Sequence, residues 1–324
     1  MMRTSSWPDA SSDSVFGMPK LRVMARRKGV AGVLAAVLLV AGCSDSRGGG
    51  ERKRVLTTFT VLADMTRAVA GNTVDVESIT KPGAEIHEYE PTPSDLKKGS
   101  RVDLVLENGL GLERWFDRFV RDGKAKRATL SAGVEPIPIR SGQYEGKANP
   151  HAWMSPANAR IYVRNIVTAL SELDPPNAPV FKANAERYEA QLTEIDTFLR
   201  SELGKLPVNQ RALVTCEGAF SYLARDAGLR EAYLWPVNSD EEGTPQQIAA
   251  TVTFVRQNAV PAVFCESTVN DKAQQQVARE TGARMGGTLY VDSLSEEGGP
   301  VPTYLRLLRY DAETVVSGLT GGRR

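Results

Sequence analysis

Between Phe181 and Leu203 the chain repeats apolar residues at steps of three and four, at Phe181, Ala185, Tyr188, Leu192, Ile195, Leu199 and Leu203, with no Gly or Pro in between. That spacing returns to one face of a 3.6-residue turn, so "NAPVFKANAERYEAQLTEIDTFLRSELGKLP" predicts a single amphipathic helix over about 178–204. At 1.5 Å per residue such a helix is ~40 Å long. An element of this length is either a stiff strut between two lobes or a crossover inside one domain, because alternation of strands and helices does not by itself count domains.

Strand-like and helix-like stretches alternate on both sides of it, the pattern of parallel sheets with crossover helices. Before it come "VLTTFT", helical "VLADMTRAVAG", "DVESIT", a short helix in "TPSDLKKGS", strand "VDLVLEN" and helical "LERWFDRFVRDG". After it come strands "RALVTC", "EAYLWPV", "PAVFCES" and "TLYVDS", separated by helical "TPQQIAATVTFVRQN" and "NDKAQQQVARETG". Thr244 before Pro245 supplies an N-cap followed by Pro at the first helical position. At 324 residues, 41% hydrophobic and 24% charged, the chain is long enough for two units. The expected organisation is a lobe over 54–177, a linker helix over 178–206 and a second lobe over 207–324. A formal charge of +1 gives no basic field for nucleic acid, so no nucleic-acid partner is expected.

Residues 24–43, "MARRKGVAGVLAAVLLVAGC", have a basic start, an apolar run, then small residues and a cysteine, which is signal-peptide architecture. The run is shorter than the ~20 apolar residues that span a bilayer. "VAGC" resembles a bacterial lipobox, which implies cleavage before Cys43 and lipid attachment to it. Residues 1–42 are therefore read as an N-terminal extension and lipoprotein signal peptide, with Met24 as the true start. The polar, glycine-rich stretch over 43–53 is read as a flexible tether. The expected location is the extracytoplasmic face of the cell membrane, held by the lipid.

Only two histidines occur, His87 and His151, and both fall in loops where a strand hands over to a helix: "KPGAEIHEYEPTPSD" and "NPHAWMSP". Ser155 and Pro156 look like the N-cap and first residue of the next helix. A histidine alone is more often packed or exposed than a ligand. Two carboxylates occupy similar places, Glu217 directly after "ALVTC" and Asp292 after "TLYV". Either could simply cap a helix, whose N-terminal dipole favours negative charge. In open α/β sheets, however, such junctions converge on the ligand crevice.

The ordered series "GAEIHEYEPTPSD", "NPHAWMSP", "EGAFSYLARDAGL", "EEGTPQQI" and "VDSL" resembles the metal-binding class of solute-binding proteins that serve bacterial ABC transporters, over the chain from about Val55 to its end. The resemblance implies an α/β fold of two (βα)4-type lobes with parallel sheets, joined by one long rigid helix. It also implies a divalent metal held in the cleft by His87 and His151 from the first lobe and Glu217 and Asp292 from the second. The expected partners are the metal ion, an ABC permease and, through the anchor, the membrane; the expected state is a monomer.

Two neutral imidazoles and two carboxylates make a site of charge −2, which balances a divalent cation. A mixed N/O set with carboxylates able to bind through both oxygens favours Mn(II), with Fe(II) second and Zn(II) third. Zinc receptors that the chain resembles typically show a third histidine, where this sequence has Glu217. Loss of metal is expected below about pH 6, because only neutral imidazole ligates.

Around this set, Glu266 reads as a supporting or structural carboxylate, and Glu85, Glu88 and Glu90 as groups able to orient His87 or as solvated loop charges. Trp153 and Tyr89 read as walls of the site or plain packing. Cys216 and Cys265 precede glutamates at two strand ends and are open to two readings, buried thiols or a disulfide. Nothing matches "HExxH" or a paired-metal cluster, so a secreted metallohydrolase is disfavoured and no enzyme is expected. A surface adhesin is the remaining alternative, with no sequence feature of its own.

Overall fold

The computed structural model describes residues 52–87, 89–99, 101–116, 125–237 and 243–322. Cys43, the signal peptide, most of the tether and Glu88 lie outside the described residues. Among those described, no helix is long and apolar enough to cross a membrane.

The first sheet is parallel, ordered β2-β1-β3-β4 from β1 (Arg54–Thr57), β2 (Asp75–Ser78), β3 (Leu104–Glu107) and β4 (Lys126–Thr129). Helices α1 (Thr60–Ala70), α2 (Pro93–Gly99) and α3 (Pro156–Leu173) accompany it. The Ser155 hydroxyl accepts the Asn158 N–H and Pro156 stands in the first turn, so α3 starts where the sequence marks it. The stretch predicted as helical "LERWFDRFVRDG" is a turn over 112–116, and 117–123 lie outside the described residues.

Helix α4 runs Ala178–Leu203, and its buried residues are the seven of the apolar stripe. It packs against α1, α3 and α8 (Tyr304–Thr320). Buried apolar residues from strands of both halves and from α4 form one continuous cluster, from Val55 to Leu319.

The second half contains α5 (Ser221–Ala227), α6 (Pro245–Gln257), α7 (Lys272–Thr281) and two parallel strand pairs. β5 (Ala212–Glu217) pairs with β6 (Arg230–Trp235), and β7 (Ala262–Glu266) with β8 (Arg284–Leu289). Thr244 and Gln247 form a reciprocal capping box at α6. No backbone ladder joins β5 to β7 among the described residues. They are linked instead by a Cys216–Cys265 disulfide, Cα atoms 4.9 Å apart, and by the buried Gln274 amide, which donates to the carbonyls of Val214 and Phe264 at 3.2 and 2.8 Å. The two cysteines are thus a pair rather than free thiols.

Two boundaries differ from expectation. "EGAFSYLARDAGL" becomes helical only at Ser221; Glu217 still belongs to β5, and Gly218 extends the ladder by donating its N–H to the Trp235 carbonyl at 2.9 Å. The strand expected in "TLYVDS" ends at Leu289, because the Tyr290 N–H is taken by the Asp311 carboxylate of α8 at 3.0 Å. Asp292 therefore sits in a loop three residues past β8.

Candidate metal centre

His87 lies between β2 and α2 on a segment held at two points. Its backbone N–H donates to both Glu85 oxygens, at 2.9 and 3.0 Å, and the Trp115 indole donates to the carbonyl of buried Ile86 at 3.1 Å. Glu85 thus fixes the backbone of His87. Glu90 is exposed, and Tyr89 packs on Trp115 with its hydroxyl donating to Asp95 at 3.1 Å, so Tyr89 does not wall the site.

His151 is fully buried just before the short turn Ala152–Met154 that leads into α3. Asn149 Oδ1 accepts the His151 backbone N–H at 3.0 Å and meets its Nδ1 at 2.9 Å, while Asn149 Nδ2 donates to the Gly218 carbonyl at 2.6 Å. A carbonyl only accepts and a backbone N–H only donates, so the amide has one self-consistent orientation. Its oxygen faces the ring, the proton of neutral His151 sits on Nδ1, and the Nε2 lone pair points into the cluster. The ring meets Trp153 at a tilt of 55°, centroids 5.2 Å apart, and the Trp153 indole N–H donates to the carbonyl of Val291, next to Asp292, at 3.1 Å.

Glu217 closes β5 and is 1% exposed, as is Asp292. The chain can turn away after Glu217 only because residue 218 is Gly: a Cβ there would lie 2.6 Å from the Pro236 carbonyl oxygen and 2.9 Å from the Tyr233 ring. The Glu217 N–H donates to Glu266 Oε2 at 3.2 Å, so Glu266 supports Glu217 from behind. Burial pushes the Glu266 carboxyl up to about 8, against the backbone hydrogen bonds it accepts.

The four side chains converge. His87 Nε2 and His151 Nε2 are 3.0 Å apart. Glu217 Oε1 is 3.5 Å from the former and 3.7 Å from the latter; Asp292 Oδ1 is 3.9 and 3.7 Å from them. The His87 side chain is 7% exposed and the other three are 2% or less. Burial holds both imidazoles below the ordinary histidine range, His151 well below, so each is neutral at pH 7. Burial, then the Glu217 and Glu85 carboxylates, pushes Asp292 well above the ordinary range.

Such a group of atoms suits a cation. Ligand atoms of His87, His151 and Asp292, one from each, lie within 4.8 Å of one another, Glu217 Oε1 approaches both histidines, and the buried Asp292 Oδ1 has no hydrogen-bond partner among the described residues. A divalent ion would satisfy that oxygen and offset the carboxylate repulsion. Sequence reasoning overlooked Asn149; its signal was "NPH", an Asn two residues before a ligand-competent His, where a side-chain turn is favoured.

The matching family, over residues 55–318, is described as ZnuA, zinc-uptake complex component A, periplasmic. The iron-binding protein YfeA of Yersinia pestis is 52% identical over 269 residues, covering 83% of this chain and 86% of YfeA. The manganese ABC transporter substrate-binding lipoprotein PsaA of Streptococcus pneumoniae is 34% identical over 296 residues, covering 88% of this chain and 96% of PsaA. The solved Mn-bound periplasmic metal binding protein from Candidatus Liberibacter asiaticus is 38% identical, with a TM-score of 0.78, covering 83% of this chain and all of that one.

Proposed function

This chain belongs to the ZnuA family of periplasmic metal-binding proteins, and on that premise we propose that it captures one divalent transition-metal ion and delivers it to the permease of an ABC transporter. The ion is held by His87, His151, Glu217 and Asp292. The observation that carries this reading is the approach of two imidazole nitrogens to 3.0 Å of each other and of one oxygen each from Glu217 and Asp292 to within 3.5–3.9 Å of both nitrogens. The lobes are residues 54–177 and 207–324, and the 178–206 segment is the strut that keeps their motion small.

Mn(II) is the proposed cargo. The donor set carries charge −2, contains no thiolate and can offer up to four oxygens, which fits a harder, higher-coordinate ion better than tetrahedral zinc. Fe(II) is a second reading, favoured by the 52% identity to a protein named as iron-binding. The chain acts outside the cytoplasm, anchored by lipid at Cys43 and monomeric.

Metal analysis of protein purified without added salts, followed by Mn(II), Fe(II) and Zn(II) titrations, tests the proposal. Binding to the native state stabilises it by RT ln(1 + [L]/Kd), ~4 kcal/mol at a thousandfold excess over Kd. A melt unmoved by any of the three ions refutes the proposal.

A further inference from the structure

The proposed ligands are tied together as cross-lobe pairs. Asn149 joins His151 to Gly218, the residue after Glu217. On the other side Ser293, the residue after Asp292, reaches the turn that leads to His87. The Gly83 N–H donates to Ser293 Oγ at 2.7 Å and approaches the Leu294 carbonyl at 3.2 Å. Thr60 Oγ1 lies 3.3 Å from Ser293 Oγ and accepts the Leu294 N–H at 3.0 Å. Gly83 has φ +78, a left-handed turn that aims its N–H across the cleft. Ser293 and Thr60 are 4% and 6% exposed, so parting these segments breaks several buried hydrogen bonds at once.

The two pairs are not equally accessible. His87 has the most exposed side chain of the four, and a cavity of about 120 Å³ that it lines with Leu110, Arg114, Tyr144 and Lys147 adjoins the site. Neither His151 nor Glu217 lines that cavity, and they are backed by Trp153 and Glu266. Separation therefore starts between His87 and Asp292, and what resists it is the set of bonds around Ser293.

We infer that Ser293, with Thr60, is the positioning residue that governs metal release: the clasp keeps Asp292 beside His87, and its opening withdraws these two ligands first, leaving the ion on His151 and Glu217. This rests on the ligand assignment proposed above. It gives release an order that sequence position does not suggest, because the mechanical units cross the cleft rather than following the lobes.

The test is Mn(II) dissociation from the full chain into excess chelator by stopped flow, with association measured alongside. Ser293→Ala is expected to raise the dissociation rate about tenfold, as for loss of a buried hydrogen bond, with the association rate within about twofold. Ser293→Thr, which retains the hydroxyl, restores slow release, and Thr60→Val reproduces the Ser293→Ala effect. The double variant is no faster than the faster single one, because both act on one clasp. Unchanged dissociation in Ser293→Ala and Thr60→Val overturns the inference while leaving the ligand assignment standing. If Ser293→Ala does not fold, Thr60→Val, nearly the same in volume, carries the test alone. A wild-type chain that binds none of the three ions overturns the ligand assignment and the clasp with it.

Discussion

His87 Nε2 and His151 Nε2 lie 3.0 Å apart although 64 residues separate them in the chain. Two nitrogens at that distance cannot both be protonated and cationic inside a buried cluster without strong repulsion, and burial holds both imidazoles neutral. With the His151 proton fixed on Nδ1 by Asn149, its Nε2 accepts a hydrogen bond from His87 Nε2 in the metal-free protein, and the His87 proton must leave Nε2 before that nitrogen can ligate.

The same shift sets the pH dependence of metal capture. An imidazole held below its ordinary 6.5 in the folded protein stays unprotonated as pH falls through that value, whereas the unfolded chain takes up protons there. The histidines' own contribution to Mn(II) affinity is thus expected to hold down to 6.5 and to fall only at more acid pH, while the raised Asp292 carboxyl adds a separate proton competition. Calorimetric titrations on both sides of that value check it; a steep loss already centred on it would contradict the neutral, buried pair.

Asp292→Asn is expected to weaken Mn(II) binding by roughly a hundredfold or more, since even outer groups around a metal are worth 10–100-fold. The metal-free protein should melt no lower than wild type, because burial pushes the Asp292 carboxyl up and the amide removes a charge that is costly to bury. Calorimetry and a thermal melt of the same preparation separate the two effects.

Asn149→Ala removes the oxygen that faces His151 Nδ1 and the amide that holds Gly218. We expect a loss of about 10–100-fold in metal affinity, the range for groups that orient a ligating histidine. Histidine NMR of the metal-free protein should show mixed His151 tautomers in the variant and the Nδ1–H form in wild type.

Glu113 gives a pH-dependent term outside the metal centre. It is 6% exposed and accepts hydrogen bonds from the Thr58 hydroxyl and the Asn108 and Gly109 N–H groups, yet burial pushes its carboxyl up to about 7 from 4.5. The folded state therefore binds its proton more tightly than the unfolded chain. Its contribution is fully present below 4.5 and is lost as pH rises through about 7, to a limit of roughly 3 kcal/mol. Urea unfolding at about pH 5 and about pH 8 should show wild type losing stability across that interval and Glu113→Gln losing less.

The Cys216–Cys265 disulfide closes a loop with a sequence separation of 49, and by chain entropy its removal costs roughly 4 kcal/mol. Because it joins two strands that share no backbone ladder, a Cys216→Ala/Cys265→Ala chain should also hold Glu217 less firmly. Lower stability in denaturant together with weaker Mn(II) binding is the expected result.

Much of this arrangement could be read from the sequence where the governing interactions are local. The stripe from Phe181 to Leu203 is a periodicity carried by one helix, and Ser155–Pro156 and Thr244–Pro245 are caps written in adjacent residues. Strand β4, "KRAT", went unseen because it has no apolar run and is set by pairing with β3. The end of β8 depends on Asp311, 21 residues beyond the N–H it captures, and the Ser293 clasp joins positions more than 200 residues apart. No spacing rule encodes such partners. His87, His151, Glu217 and Asp292 could be picked out because each stands near a strand-to-helix handover; their mutual distances became visible only with the fold.

Helix α4 is sheathed on its apolar side by α1, α3 and α8 while its other face is exposed, so one whole side of it belongs to the common core. A truncated chain ending before Ala178, or one beginning after Leu203, would leave a greasy trough where that stripe belongs and should aggregate. The intact chain should lose its structure in a single cooperative step, with a bound ion raising the temperature of the whole event rather than of one half.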